Sequence, residues 1–334
     1  MIHSIQQQVA DFIKDWHSDS PTICVQTSGS TGTPKKMDVK KTRMLESAKI
    51  TCQFFGLKKN DKALLCLPLQ YIAGKMVVVR ALYAGLDLYS VEPCGHPLAD
   101  VDMDFDFAAM IPLQVYNSLQ IPEERQRLAA IKYLIIGGGA IDETLEHELS
   151  GFPNAIYSTY GMTETLSHIA LRRISGSAAS LYYTPLSNVR VSLSQESTLI
   201  IDAPLVANET LFTNDIAALR CDGTFRILGR KDNVINSGGI KIQIEEVERI
   251  LRPHITGNFA ISHIPHPKLG EAIVLLTEEA ATIELKNKIR HLLPRYQEPL
   301  HICFVEAIPL TGNGKPDRKA IKKLAEQVCP ASTH

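Results

Sequence analysis

The sequence predicts an α/β protein: a large N-terminal domain with parallel α/β sheets plus a β-rich subdomain, followed by a small α+β C-terminal domain. Three observations predict it. Between residues 22 and 159 short apolar strands alternate with helical stretches, the order that gives a parallel sheet covered on both faces. After Ser167 short strands follow one another with polar turns, which predicts the β-rich part. Near Gly229-Arg230-Lys231-Asp232 the texture changes again, so the boundary is placed between 1–229 and 230–334.

Each element has its own warrant. Over 1–16, Ile2, Ile5, Val9, Phe12 and Trp16 form a helical stripe with Asp11 and Lys14 opposite. Residues 22–26 alternate as a strand, and Met44, Leu45, Ala48, Cys52 and Phe55 share one face of a following helix. Residues 64–68 read as a buried strand ending at Pro68, 72–83 as an apolar helix and 87–91 as a strand. The stretch 107–119 carries a helical pattern, with Pro112 marking an early turn. Residues 133–136 form a continuous apolar strand that runs into Gly137-Gly138-Gly139, and Asp142 is placed to cap the charged helix after it. Strands are expected over 168–174, 189–193, 198–201 and 225–228. A helix over 245–251, strands near 258–263 and 271–276, a helix near 284–292, a strand over 301–305 and a helix from Asp317 complete the chain.

At 334 residues and 45% hydrophobic content the chain can bury ample core. Thirty-five Lys and Arg against 36 Asp and Glu leave a net charge of −1, so there is no electrostatic case for nucleic acid or a membrane surface. The N-terminus lacks a basic segment followed by an apolar one, and the apolar run at 76–79 is broken by Arg80, so neither a signal peptide nor a membrane span is expected. Seven scattered cysteines without a C-x-x-C pair argue against a disulfide framework or zinc site and for a reducing cytoplasm, each cysteine being a small buried hydrophobe. Self-association is left open.

Chemistry concentrates in a few stretches. Thr27-Ser28-Gly29-Ser30-Thr31-Gly32-Thr33-Pro34-Lys35-Lys36 combines two glycines, five hydroxyls and two lysines. Such a loop can turn tightly and offer N–H groups, hydroxyls and charge to phosphate oxygens. It is not a Walker A loop, because Gly29 and Gly32 sit three apart and Lys35 is followed by Lys36. In Tyr160-Gly161-Met162-Thr163-Glu164-Thr165 a carboxylate stands between hydroxyls, which suits Mg²⁺ at Glu164 and a donor at Thr163. The same pattern also fits a capped helix start.

These stretches, with Gly137-Gly138-Gly139, Thr213-Asn214-Asp215, Gly229-Arg230-Lys231-Asp232, Ser237-Gly238-Gly239 and Pro309-Leu310-Thr311-Gly312-Asn313-Gly314-Lys315-Pro316-Asp317-Arg318, occur in one order along the chain. In that order they resemble the motifs of the adenylate-forming enzymes, the superfamily of acyl-CoA synthetases and peptide-synthetase adenylation domains. The resemblance implies that Thr27, Ser28, Gly29, Ser30, Thr31, Gly32 and Lys35 hold the ATP phosphates. It implies further that Gly137, Gly138 and Gly139 lie on the adenine beside Tyr160 and Gly161, and that Asp215 and Arg230 hold the ribose. It makes Lys315 the catalytic lysine, with Lys35, Thr163 and Glu164 acting beside it and Glu164 as the metal ligand. Asp232 becomes the hinge of a mobile C-terminal domain, whose Gly238 and Gly239 line the path of the coenzyme A thiol. Asn214 and Asn233 depart from the common Gly and acidic residue.

The resemblance is nearest to the short o-succinylbenzoate–CoA ligases, since the phosphate loop begins only 26 residues into the chain and implies a shortened acyl-pocket wall. Pro68-Leu69-Gln70-Tyr71-Ile72-Ala73-Gly74 resembles the acyl gate, with Tyr71 as the plug. Lys75 is the preferred partner for a second substrate carboxylate; Arg80 and His168 are also near, with solvent or buried backbone as the plainer place for each. The implied substrates are a carboxylic acid, ATP with Mg²⁺, and CoA. Another aryl or fatty acid, a carrier-protein acceptor, or a non-catalytic nucleotide binder are the alternatives.

Overall fold

The computed structural model describes residues 4–26, 36–139, 141, 143–311 and 316–329. Two compact units emerge: the first is 1–192 with 200–212 and 219–226, the second 227–334 with 193–199 and 213–218.

The first unit opens with α1 (Ile5–Trp16), whose Ile5 and Phe12 are buried. Strands β1 (Thr22–Gln26) and β2 (Lys36–Lys40) follow, then α2 (Lys41–Phe55) and β3 (Lys62–Leu65). After α3 (Ile72–Ala84) come β4 (Asp87–Ser90), β5 (Phe107–Met110), α4 (Pro112–Leu119) and α5 (Pro122–Ala130). The series continues with β6 (Tyr133–Ile136), α6 (Glu143–Ser150), β7 (Ala155–Gly161), β8 (His168–Arg173) and β9 (Thr184–Pro185). Seven strands form one sheet in the order β4-β3-β5-β6-β7-β8-β9. The first five run parallel and β8 and β9 turn antiparallel. Leu64, Ala108, Leu134 and Ile156 from the central strands pack in one cluster with Val115 of α4, Leu128 of α5 and Leu145 of α6.

Two expectations are corrected here. Residues 107–110 are a strand, not the start of a helix; all four are buried, and a short apolar run in the middle of a parallel sheet lacks the alternation that marks a half-exposed strand. The helix begins at Pro112, which suits a first helical position because its missing N–H would have no partner there. Strand β1 does not belong to the parallel sheet: it pairs antiparallel with β2, an element the periodicity did not suggest, in register from Thr22↔Lys40 to Gln26↔Lys36. Residues 27–35 therefore connect the strands of a hairpin, and they lie outside the described residues, as does Asp142.

A four-stranded sheet, in sequence order, comprises β10 (Arg190–Leu193), β11 (Thr198–Asp202), β12 (Leu211–Leu219) and β13 (Phe225–Arg230). The second unit continues through β14 (Val234–Ser237), β15 (Ile240–Gln243), α7 (Ile244–Leu251), β16 (Phe259–His266) and β17 (Gly270–Thr277). It ends with α8 (Ile283–Leu292), β18 (His301–Phe304) and α9 (Arg318–Val328). Its sheet runs β15-β14-β17-β16, with β18 parallel to β17. Period-two alternation sorts the core: Ile261, Ile273 and Leu275 meet α7 and α8, while Ala260, Val274 and Leu276 meet Ile321 and Ala325 of α9.

The cysteine expectation is also corrected. Cys303 and Cys329 form a disulfide with their Cα atoms 6.6 Å apart, joining β18 to the end of α9. They stand 26 positions apart in sequence, so only the fold brings them together. Cys24, Cys94 and Cys221 are exposed, and only Cys52 and Cys66 are the buried free thiols expected of all. Among the described residues no helix is long and apolar enough to cross a membrane.

Candidate active site

In the first unit Gly137-Gly138-Gly139 and Tyr160-Gly161 sit at the carboxyl ends of the parallel strands β6 and β7, where ligands of such sheets bind. Gly137-Gly138-Gly139 leaves β6 with Gly138 at φ +79°, and a Cβ on Gly137 would lie 2.3 Å from Thr159 Oγ1 of β7. Bare backbone is thus pressed against the neighbouring strand, which is why a side chain is excluded. One strand over, the Tyr160 ring packs on Phe225 and Tyr183 at centroid distances of 5.2 and 5.8 Å. A Cβ on Gly161 would lie 2.3 Å from the Ser167 carbonyl oxygen, so the chain folds back on itself at once. Thr163, Glu164 and Thr165 form a single 3₁₀ turn there. Thr165 Oγ1 accepts the Met162 N–H at 3.0 Å and lies 2.7 Å from the Ser167 carbonyl, fixing both ends. Glu164 is exposed on that turn.

Among the described residues no three His, Cys, Asp or Glu side chains converge on a metal. A lone carboxylate at Glu164 nevertheless fits Mg²⁺, which is ordinarily held by one or two carboxylates together with substrate phosphates and water.

The gate motif is built by a sharp return of the chain. A Cβ on Gly74 would stand 2.5 Å from the Pro68 carbonyl oxygen, so α3 can approach residues 67–68 only through glycine. Tyr71 precedes the helix and bridges to Gln26 at the end of β1. Lys75 Nζ donates to the Leu69 carbonyl at 2.7 Å and lies 5.4 Å from the Phe12 ring. Burial lowers the Lys75 pKa.

Arg80, in contrast, is 2% exposed, and its Nε has no hydrogen-bond partner among the described residues. Its Nη2 donates to Ser167 Oγ at 2.7 Å, and no ion pair to a carboxylate is present among the described residues. Desolvation pulls its pKa down to about 10. His168 is 8% exposed and makes its contacts with side chains, Thr51 and Ser167. Both are thus nearly closed off from solvent, and among the described residues their hydrogen bonds go to side chains rather than to buried backbone. An arginine inside the buried apolar run of α3 was the available signal for an unpaired internal charge.

In the second unit Arg230 bridges two carboxylates, Nη1 to Asp215 Oδ1 and Nη2 to Asp232 Oδ2, each at 2.9 Å. Asn214 Nδ2 also donates to Asp232, at 3.0 Å to Oδ1. Asp215 is held by its own N–H on Thr213 Oγ1 at 3.1 Å. Gly238 and Gly239, at φ +58° and +83°, form the two-residue turn of the β14–β15 hairpin, a geometry that requires left-handed backbone at both positions. Lys315 lies outside the described residues, but both flanks of its segment are fixed. Leu310 bridges to Pro316, and the Asp317 N–H donates to the Pro309 carbonyl at 2.9 Å.

Parallel strands ending in bare glycine backbone and a hydroxyl–carboxylate turn define a nucleotide-binding α/β enzyme. The model of the family described as AMP-binding enzyme matches residues 4–202, and the chain belongs to that family. It is 26% identical to the 2-succinylbenzoate–CoA ligase of Salmonella typhimurium, over 97% of this chain and 73% of that protein. The enzyme of the same name from Enterococcus faecalis is 25% identical over 94% and 71%. An acyl-CoA synthetase (AMP-forming)/AMP-acid ligase II-like protein from Dyadobacter fermentans is 33% identical, with TM-score 0.65 over 94% of this chain and 92% of its own. The MenE of Bacillus subtilis, solved in complex with ATP and magnesium ion, is 20% identical over 89% and 69%; its TM-score of 0.73 shows a shared fold.

Proposed function

We propose that this protein is an ATP-dependent acid–CoA ligase that activates 2-succinylbenzoate. A substrate carboxylate oxygen bonds to the α-phosphorus as the bond to the β-phosphate oxygen breaks, giving acyl-AMP and pyrophosphate. The CoA thiol then gives its proton to solvent, and its sulfur attacks the acyl carbon and expels AMP. Mg²⁺, when bound at Glu164 and the phosphates, supplies charge neutralisation. Lys35 and residues 27–32 steady the departing pyrophosphate, and Thr163 donates to the reacting end. Asp215 with Arg230 takes the ribose, the glycines at 137–139 the adenine. Lys315 supplies positive charge where the α-phosphate gains negative charge. Asp232 is the hinge by which the C-terminal domain withdraws Lys315 and presents Gly238 and Gly239 to the thiol. The enzyme works in the cytoplasm.

The observation that carries the choice of acid is Arg80. A guanidinium buried without a carboxylate costs several kcal/mol on general grounds, and a dicarboxylic substrate offers the missing counter-charge after its other carboxylate has reacted. The Salmonella typhimurium and Enterococcus faecalis relatives act, by their names, on such an acid. Lys75, already committed to the Leu69 carbonyl, is the lesser candidate.

The test separates the half-reactions. Lys315→Ala lowers acid-dependent exchange of pyrophosphate into ATP by about 10²–10³-fold, the scale of one lost electrostatic stabiliser, while thiolation of preformed acyl-AMP survives. Equal loss in both would remove the role given to Lys315. If another acid or a carrier-protein thiol outperforms 2-succinylbenzoate and CoA in that assay, the substrate assignment falls.

A further inference from the structure

Behind Arg80 lies a chain of buried side-chain hydrogen bonds that the reaction described above does not use. Thr51 Oγ1 lies 3.1 Å from the Ser47 carbonyl oxygen and 3.1 Å from His168 Nε2. His168 Nδ1 lies 3.3 Å from Ser167 Oγ, which accepts from Arg80 Nη2 at 2.7 Å. Thr51 is wholly buried and His168 nearly so.

The direction of this chain is set at both ends. A carbonyl oxygen only accepts, so the Thr51 hydroxyl hydrogen goes to Ser47, and Thr51 must accept from an Nε2–H. A guanidinium only donates, so Ser167 accepts from Arg80 and gives its own hydrogen to Nδ1. A neutral imidazole carrying its proton on Nε2 meets both demands. Burial, with the Arg80 charge close by, keeps the imidazole unprotonated, its pKa well below the usual value. The Ser167 backbone is pinned independently: Leu166 before it holds φ +66°, and its carbonyl meets Thr165 Oγ1. The hydroxyl rotor is what remains to be set, and His168 sets it.

We infer that His168 and Thr51 are positioning residues, orienting Ser167 and the Arg80 guanidinium for the second carboxylate of the acid and so setting the preference for diacids over monoacids. This rests on the assignment of Arg80 to that carboxylate. His168→Leu would free the Ser167 hydroxyl to point its hydrogen elsewhere and let the guanidinium turn. The reacting carboxylate and the nucleotide, which the chain does not touch, would be unaffected.

The experiment compares 2-succinylbenzoate with 3-benzoylpropanoate, the same skeleton with one carboxylate, in full-length enzyme. His168→Leu and Thr51→Val each raise KM for the diacid by about tenfold or more, the scale of one mis-set hydrogen bond to a charged group. KM for ATP and kcat/KM for the monoacid change less than about twofold, near the scatter expected of distant substitutions. His168→Asn, whose side-chain oxygen can stand near the Nδ1 position, recovers most of the diacid preference, and Thr51→Ser does the same for its site. Equal losses for diacid and monoacid, a parallel rise in KM for ATP, or no rescue by Asn would overturn the inference. Arg80→Met separates the two levels. If it leaves the diacid preference intact, the Arg80 assignment itself fails. If it abolishes the preference while His168→Leu and Thr51→Val do not, only the positioning role fails.

Discussion

Arg318 holds Glu248 through two parallel hydrogen bonds, Nη1 to Oε1 and Nη2 to Oε2, each 2.7 Å long. The same Glu248 Oε1 accepts the Ile261 N–H at 2.9 Å, so one carboxylate ties the start of α9 to α7 and β16. Hydrogen bonding to this carboxylate raises the Arg318 pKa despite its burial. Arg318 stands three residues beyond Lys315 in sequence, so the pair fixes the far end of the segment that carries the proposed catalytic lysine. Arg318→Met leaves Glu248 half-satisfied and should cost about 2–3 kcal/mol in urea unfolding, below the ~3–5 kcal/mol of a fully buried pair because both groups keep some water contact. It should also slow adenylation more than thiolation. An equal slowing of both would detach the pair from Lys315.

At the gate, the 2.5 Å approach between a Cβ on Gly74 and the Pro68 carbonyl oxygen involves backbone on both sides. Gly74→Ala must therefore push α3 away from residues 67–68. The expected loss is about 1–3 kcal/mol, the range for forced overpacking, with a raised KM for the acid. Thermal unfolding and acid titration read the two effects; a variant of unchanged stability and KM would contradict this approach of helix to loop.

Asp215 is 8% exposed and receives Arg230 Nη1. Asp215→Asn keeps the shape, removes the charge and weakens the acceptor. KM for ATP should rise by about ten- to a hundredfold, the worth of a hydrogen bond to a charged group, while KM for CoA holds. Initial rates at varied ATP decide it, and an unchanged KM for ATP would remove Asp215 from the nucleotide site.

Stability should fall on mild acidification. His168 has a folded pKa far below its unfolded one, so its contribution is present above the unfolded value near 6.5 and is lost as pH falls through that value toward the folded one. While the unfolded chain is protonated and the folded one is not, the slope is about 1.4 kcal/mol per pH unit. Half-buried His263, facing Glu271, Lys322 and Glu326, is lowered as well and adds in the same direction. The difference between wild type and His168→Asn in urea unfolding from about pH 7 to about pH 5 isolates the first group. Parallel curves for the two proteins would show that His168 does not titrate with folding.

Much of this protein was legible in its residues. Alternating apolar strands and helices gave the parallel sheet, and the pattern of the second unit placed α7, α8, α9, β16, β17 and β18 within a few residues, because period and capping are local properties; β12 and the β14–β15 hairpin were not among the expected elements. The glycines at 137 and 161 could be located by motif, yet the reason for them is tertiary: Thr159 and the Ser167 carbonyl occupy the space a Cβ would need. Residues 107–110 misread as helix because a strand buried on all sides has no polar face to show. The union of Cys303 with Cys329, the pairing of Arg318 with Glu248, and the absence of a carboxylate beside Arg80 among the described residues depend on distances between remote elements. Local chemistry therefore determined which residues could handle a nucleotide and an acid. The packing of α2, α3 and β8 decided which buried cation was left without a carboxylate among the described residues, since the cost of a charge depends on what surrounds it.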